Sequence, residues 1–596
     1  MINNNIKKFR ELMKKENISA YIIPSSDYHQ SEYVGKYFEC RKFMSGFTGS
    51  AGTLLITLDE SILWTDGRYF LQAENELKNT EIKLYKMGEE NVLTLEEYLI
   101  ENIKKDTFLG FDGKVVNASE GLNLAKKLEF KNVSIKYSDD LVDKIWDKRP
   151  SLPKEKAFLL ETKYSGESFL SKLERLRNSI KKHNATTHII ATLDDIAWLF
   201  NIRGKDVLYN PVVLSYAVVT LDEVYLFVDS DKLTDDIKEE FSKENVKIMD
   251  YDYIYEFVKN IDEKEAVLLD INKVNYSIYN NIPKNVRKIE KENPTMLFKA
   301  VKNEVEINNI RNCHIKDGVA VTKFIYWLKN NVGKIDITEI SASEKLEEFR
   351  KEQQDFIEPS FSTISAYKDH GAIVHYNADE NTNYKLEKEG LYLIDSGGQY
   401  FDGTTDITRT ISLGEISDEM KNNFTNVLRG MIRLSMAKFM YGCRGMNLDI
   451  LSRGPLWNEG LDYKHGTGHG IGFVLNVHEP PNGFRWNVVP ERNDSVVLEE
   501  GMLTSNEPGF YKNGEYGIRI ENSILTKKSD KNEYGQFMEF ETVTLVPIDL
   551  DCINKDLMLK DEIEFLNNYH KEVYDKISPF LDEDETKWLK QYTKSI

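Results

Sequence analysis

The sequence predicts a multidomain α/β chain in which one helix–strand–hairpin unit occurs twice, ahead of a third region that collects candidate metal-binding residues. Three observations predict it. At 596 residues the chain is too long for one hydrophobic core. A similar order of helix, strand and hairpin recurs about 160 residues apart. Of ten histidines, five lie between positions 370 and 478, at 370, 375, 465, 469 and 478.

The first copy begins with a helical pattern at Phe9, Leu12 and Met13, followed by a strand at Ala20-Tyr21-Ile22-Ile23. A hairpin then reads from Thr53-Leu54-Leu55-Ile56 and Ile62-Leu63-Trp64. The second copy repeats this with Leu173, Leu176 and Ile180, then His188-Ile189-Ile190-Ala191. Its hairpin is Ala217-Val218-Val219 with Val224-Tyr225-Leu226-Phe227. Arg149-Pro150-Ser151-Leu152-Pro153 carries two prolines between the copies and reads as a linker. A second boundary falls near Lys299-Ala300-Val301-Lys302. The expected domains are therefore 1–153, 154–299 and 300–596. The third opens on a helix with Ile307, Ile310, Val321, Phe324 and Leu328 on its apolar positions. It closes on another, with Phe565, Leu566, Tyr569, Val573 and Ile577, ended by Ser578-Pro579.

Composition narrows the function classes. Hydrophobic residues make up 41% and charged residues 30%, as in ordinary globular protein. A net charge of −20 argues against nucleic acid as the main partner. No run approaches the roughly 18–20 apolar residues of a membrane span, and the N-terminus has no signal-peptide pattern, so a cytoplasmic protein is expected. The cysteines at 40, 313, 443 and 552 form no paired motif and are read as free thiols.

The chemistry concentrates between about 355 and 545. Leu391-Tyr392-Leu393-Ile394-Asp395-Ser396-Gly397-Gly398 is an apolar strand ending in a carboxylate. Thr404-Thr405-Asp406-Ile407-Thr408-Arg409-Thr410 supplies a second, and a hairpin would bring Asp395 and Asp406 together. Close carboxylates repel unless a cation or proton lies between them. Taken alone, the pair reads first as two ordinary turn aspartates. In His465-Gly466-Thr467-Gly468-His469-Gly470-Ile471-Gly472 the glycines allow close backbone approach around two imidazoles. Leu503-Thr504-Ser505-Asn506-Glu507 is a strand ending in a glutamate, and Asn513-Gly514 is a hairpin turn signal. In Gly517-Ile518-Arg519-Ile520-Glu521-Asn522, alternation places Arg519 and Glu521 on one face and Ile518 and Ile520 on the other. That segment alone also fits a solvent-facing edge strand.

Together these give Asp395, Asp406, His469, Glu507 and Glu521, an oxygen-rich set without thiolate. Such a set favours harder divalent ions, Mn²⁺ first, with Co²⁺ or Zn²⁺ compatible. Four carboxylates exceed the need of one ion, and two ions roughly 3.5–4 Å apart fit better.

At these residues the sequence resembles the aminopeptidase P and prolidase family of pita-bread metallopeptidases. The order Asp395, Asp406, His469, Glu507, Glu521 matches that family's ligand motif at every position. The strings Trp64-Thr65-Asp66-Gly67-Arg68-Tyr69-Phe70 and Asp195-Ile196-Ala197-Trp198-Leu199-Phe200-Asn201 resemble those of its three-domain cytosolic members. So do Asn476-Val477-His478-Glu479 and Tyr516-Gly517-Ile518-Arg519-Ile520-Glu521-Asn522.

The resemblance implies a class of α/β + α+β: two related creatinase-like α/β domains, then a pita-bread domain with a curved antiparallel sheet and helices on its outer face. It implies a homodimer, and cleavage of the bond between an N-terminal residue and a following proline by a metal-bridging hydroxide. By the same analogy Asp406 and Glu521 bridge two ions, Asp395 holds one, and His469 and Glu507 complete the other. Glu507 is the expected proton shuttle and His478 the expected oxyanion donor. His465 and His375 are expected to position substrate; His375 lies in Gly371-Ala372-Ile373-Val374-His375-Tyr376, which resembles a substrate-contact strand. Arg519 is the expected partner of a ligand carboxylate, and Arg68 a further expected substrate contact. The alternatives are a prolidase acting on dipeptides and a non-catalytic scaffold on the same fold.

Overall fold

A computed structural model describes residues 1–488 and 495–596. The chain divides into two compact units, Met1–Leu159 with Glu167–Thr295, and Leu160–Gly166 with Met296–Ile596.

The first unit contains two six-stranded sheets of identical plan. In the first, Ile18–Pro24 pairs antiparallel with Thr53–Thr57 and parallel with Phe108–Phe111. In the second, Thr187–Ile190 pairs antiparallel with Ser215–Thr220 and parallel with Ala266–Leu269. The outer strands follow the same order and directions in both. The helices read from periodicity form as Ile2–Lys15 and Phe169–Lys182; the first buries Phe9 and Met13 of its predicting stripe and leaves Leu12 half-buried, and the second buries Leu173, Leu176 and Ile180.

The two repeats meet through a reciprocal set of backbone bonds. Ala118 N–H donates to Val274 O and Tyr276 N–H to Val116 O, at 2.9 and 2.8 Å. Ser119 N–H donates to Ile271 O and Ser277 N–H to Gly113 O, both at 2.9 Å. Asn117 and Asn275, which cap the helices Ala118–Leu128 and Tyr276–Asn281, face each other across this seam. The helix starts thereby satisfy each other's orphan amides.

Among the described residues of the second unit, the pairings between its strands are antiparallel. Among the same residues, hydrogen bonding divides the expected curved sheet into a six-stranded sheet, two three-stranded sheets and a two-stranded ribbon. One division falls at Ile520-Glu521, between the strands Tyr516–Arg519 and Asn522–Asn532, where the sequence reads as one continuous strand. There the Glu521 amide leaves its own ladder and donates to Thr408 O at 3.1 Å.

Helices cover the apolar faces. Phe324, Ile325 and Leu328 of the helix Glu304–Asn331 pack with Tyr392, Ile394 and Ile411. Val427 and Met431 of the helix Asp418–Ser435 pack with Ile518 and Ile520. The C-terminal helix forms as Lys560–Ile577 and is followed by a further helix, Glu583–Tyr592, that the apolar periodicity did not signal. All four cysteines are free thiols. Among the described residues no helix is long and apolar enough to cross a membrane.

Candidate metal centre

Strand alternation sets the face that Asp395, Arg519 and their neighbours present. Ile394, Ile407, Ile411, Ile518 and Ile520 point into the helix-packed core, so Asp395, Thr408, Arg519 and Glu521 point to the opposite face. Leu391–Ser396 pairs with Ile407–Ser412 with Asp395 opposite Thr408, which brings Asp406 beside Asp395 as the hairpin predicts. Arg409, on the core side of its strand, donates to Glu521 O at 2.6 Å and to Asn522 Oδ1 at 2.8 Å, and so fixes the backbone at the strand break.

The glycine–histidine segment is more regular than a loop. Gly468–Gly470 is a short strand of the six-stranded sheet. A Cβ on Gly468 would lie 1.9 Å from Ser505 O, so only glycine lets the neighbouring strand Leu503–Asn506 approach this closely. That approach carries His469 toward Glu507.

The donor atoms converge. Single ligand atoms of Asp406, His469 and Glu521 lie within 4.8 Å of one another. His469 Nε2 is 3.4 Å from Asp406 Oδ2 and 3.5 Å from Glu507 Oε1. His469 Nδ1 lies 2.9 Å from Gly470 O; donation there leaves the Nε2 lone pair facing both carboxylates. Asp395 Oδ1 and Glu521 Oε1 are buried without a hydrogen-bond partner. Lone pairs aimed at lone pairs, with orphaned carboxylate oxygens among them, fit a divalent cation.

Electrostatics agree. Burial pushes the carboxyls of Asp395, Glu507 and Glu521 above the usual range, with further upward pressure from the neighbouring acids. Burial pushes Asp406 up to about 6, while His478 and Arg519 pull it down.

Around this cluster runs a relay of donors. Arg519 donates through Nη2 to Asp395 Oδ2 at 2.6 Å, through Nε to Thr408 Oγ1 at 3.2 Å, and through Nη1 to the Tyr511 hydroxyl at 2.7 Å. Thr408 donates to Glu521 Oε2 at 2.8 Å. Burial works against the Arg519 charge, but Tyr511, Asp395 and Glu507 outweigh it and raise its pKa well above the ordinary value. His465 Nε2 lies 2.8 Å from the Tyr511 hydroxyl and its Nδ1 2.8 Å from Gly466 O, so both ring nitrogens are engaged by the chain. Burial, then Arg519, depress its pKa to about 3. His478 stacks edge-on against His469, ring centroids 4.3 Å apart.

His375 lies on a different element from the one the motif suggested. Lys368–Ala372 is a 3₁₀ turn, and Ile373 to His375 continue as bend and turn, not as a strand. The reason is close packing of Gly371 on Gly517, where a Cβ would stand 1.7 Å from Gly371 O. Arg68 belongs to the first unit, where its Nε and Nη2 each lie 2.8 Å from the Asp66 carboxylate.

Sequence reasoning passed over Thr408, Tyr511 and Ser505. Ser505 receives the His469 amide at 3.0 Å and donates to Glu507 Oε1 at 3.3 Å. The available signal was alternation: Phe510 is core, so Tyr511 faces the site, and Thr408 shares the face of Asp406.

The comparisons with known proteins come to the same region. The model described as metallopeptidase family M24 matches residues 308–528, and that of the C-terminal region of the family matches 536–596. Two creatinase/prolidase N-terminal domain models match 5–145 and 148–306. The chain is 39% identical to Xaa-Pro aminopeptidase 1 of Dictyostelium discoideum over all of its own length and 97% of that protein. It is 40% identical to a probable Xaa-Pro aminopeptidase P of Laccaria bicolor, over 98% of this chain and 92% of that one. Among solved structures it matches the X-prolyl aminopeptidase of Caenorhabditis elegans, described as a cytosolic enzyme with a di-nuclear active site. The TM-score is 0.95, with 35% identity and full coverage of both chains. A Xaa-Pro dipeptidase from Bacillus anthracis shares the fold over 64% of this chain and 99% of its own, with TM-score 0.51 and 24% identity.

Proposed function

This chain belongs to metallopeptidase family M24, and from that membership and the convergence of Asp406, His469 and Glu521 we propose that it is a Xaa-Pro aminopeptidase with two divalent ions in its catalytic centre. Full-length similarity to Xaa-Pro aminopeptidases, against a partial match to a dipeptidase, favours this reading over a prolidase.

Asp406 and Glu521 would be shared by the two ions, Asp395 would hold one, and His469 with Glu507 would hold the other. The observation that carries this is the set of buried, orphaned oxygens on Asp395 and Glu521 beside the His469 lone pair. The four carboxylates outnumber the Arg519 guanidinium bound to Asp395, and two divalent cations would offset the excess negative charge. When bound, the ions acidify a water and polarise the scissile carbonyl. The oxygen-rich donors favour Mn²⁺.

Glu507 takes the proton of the attacking water and hands it to the imino nitrogen of the departing proline. His478, beside His469, donates to the oxygen that becomes negative at the carbonyl carbon. His375 contacts the substrate. His465 acts through Tyr511, keeping the hydroxyl aligned with Arg519, and Arg519 keeps Asp395 oriented. The enzyme acts in the cytoplasm as a homodimer on peptides with proline in the second position.

The test is a chelator-stripped preparation assayed on Arg-Pro-Pro and Gly-Pro with and without Mn²⁺. Release of arginine from the tripeptide only after metal is restored, with little dipeptide cleavage, is the expected result. Preference for Gly-Pro makes the protein a prolidase. No metal binding and no turnover leaves a scaffold.

A further inference from the structure

His370 belongs to the histidine cluster, yet the reaction leaves it without a role. It is buried at 8% exposure, sandwiched between the rings of Tyr376 and Tyr384 at centroid distances of 4.3 and 3.7 Å. Its Nδ1 lies 2.9 Å from Glu339 Oε1. Glu339 is fully buried in the first turn of the helix Glu339–Lys351, where the helix dipole favours a carboxylate.

Among the described residues, the other donors to the Glu339 carboxylate come from residues 367–384. Tyr367 N–H donates to Oε1 at 2.7 Å and Tyr384 N–H to Oε2 at 2.8 Å. The Tyr376 hydroxyl lies 2.9 Å from Oε2 and shares its proton with Thr382 O at 2.8 Å. The carboxylate's acceptor sites are thus filled by the protein alone, unlike the orphaned oxygens of the metal centre. The helix start returns the contact: Glu339 N–H donates to Tyr384 O, and Ile340 N–H to Asn383 Oδ1, both at 3.0 Å.

The stretch so held joins the strands Ile364–Tyr367 and Leu391–Ser396, and its one regular element is the 3₁₀ turn Lys368–Ala372. A connection of this length has little stability of its own. It carries His375, and Val374 O receives Arg519 Nη2 at 3.5 Å, from the same guanidinium that holds Asp395.

We propose that Glu339 and His370 form a clamp that positions His375 against the metal centre, making both of them positioning residues for peptide turnover. The proposal rests on the aminopeptidase reading. The clamp acts on substrate placement and leaves the metal ligands untouched.

The variants are His370→Phe, which keeps the aromatic stack and removes the donor, and Glu339→Gln, which sets an amide donor against backbone donors. With Arg-Pro-Pro and saturating Mn²⁺, each is expected to raise KM roughly tenfold or more, as loss of a hydrogen bond to a buried charge does. Metal stoichiometry stays at the wild-type value, and hydrogen exchange quickens within 368–384. Glu339→Gln combined with His375→Ala is expected to be no worse than His375→Ala alone. Additive losses, a wild-type KM in His370→Phe, or loss of metal from that variant overturn the clamp. If Glu339→Gln does not fold, His370→Phe with His370→Phe/His375→Ala completes the same cycle. A wild-type protein without turnover defeats the aminopeptidase reading, while exchange in 368–384 still reads the clamp: unchanged exchange in His370→Phe overturns it.

Discussion

Arg519 Nη2 stands 2.6 Å from Asp395 Oδ2, and the other end of the same guanidinium donates to the Tyr511 hydroxyl at 2.7 Å. One planar cation therefore orients a candidate metal ligand and a tyrosine that continues to His465. A lysine carries the charge but has no rigid fork to span both. Arg519→Lys is expected to lower kcat/KM or metal affinity about 10–100-fold, the usual cost of disturbing the partner of a metal ligand. Steady-state kinetics with metal titration measure it. Unchanged values would show that the guanidinium fork is not needed.

Glu507→Gln preserves size and removes the base. Turnover is expected to fall by about 10²–10⁴-fold if Glu507 moves the proton. Substrate binding to the variant, measured by calorimetry, should persist. Retained turnover would assign the proton transfer to another group.

The pH dependence follows from Asp406. Burial raises its carboxyl from 3.8 to about 6 in the metal-free protein. A group raised in the folded state stabilises that state at low pH, and the contribution is lost as pH rises through about 6. Metal must displace this proton, so affinity should fall about tenfold per pH unit below that value for each proton displaced. Melting of stripped protein from pH 4 to 7 should show wild type losing stability relative to Asp406→Asn, with the loss nearly complete a little above pH 6. Parallel curves would remove Asp406 as the titrating group.

Gly468→Ala places a methyl 1.9 Å from the Ser505 carbonyl, which cannot yield without moving the strand beside Glu507. Overpacking of this kind costs about 1–3 kcal/mol or more. A lowered thermal midpoint together with weakened metal binding is expected. Wild-type behaviour in both would mean that the two strands separate without cost.

The repeats show how far the sequence could be read. Periodicity found both leading helices and both hairpins, because each is specified within about fifteen residues. It did not find the seam between the repeats, although its residues are paired in sequence: Val116, Asn117 and Ser119 in one copy, Val274, Asn275 and Ser277 in the other. Asn117 and Asn275 each cap a helix within their own copy, and the residues beside them belong to the same helix starts. Their second use, exchanging backbone bonds across the seam, exists only once two folded copies meet.

The same division holds at the metal centre. Local pattern was enough to identify the residue types, to join Asp395 and Asp406 through a hairpin, and to turn Arg519 and Glu521 away from Ile518 and Ile520. Those are properties of a two-residue period and of a short connection. Tertiary structure alone decided that the chain breaks ladder at Glu521, that Gly468 admits Ser505, and that Tyr511 joins Arg519 to His465. Alternation fixes the face a side chain occupies, but the register between strands distant in sequence is set by the helices packed behind them. Distances between candidate ligands belong to that register.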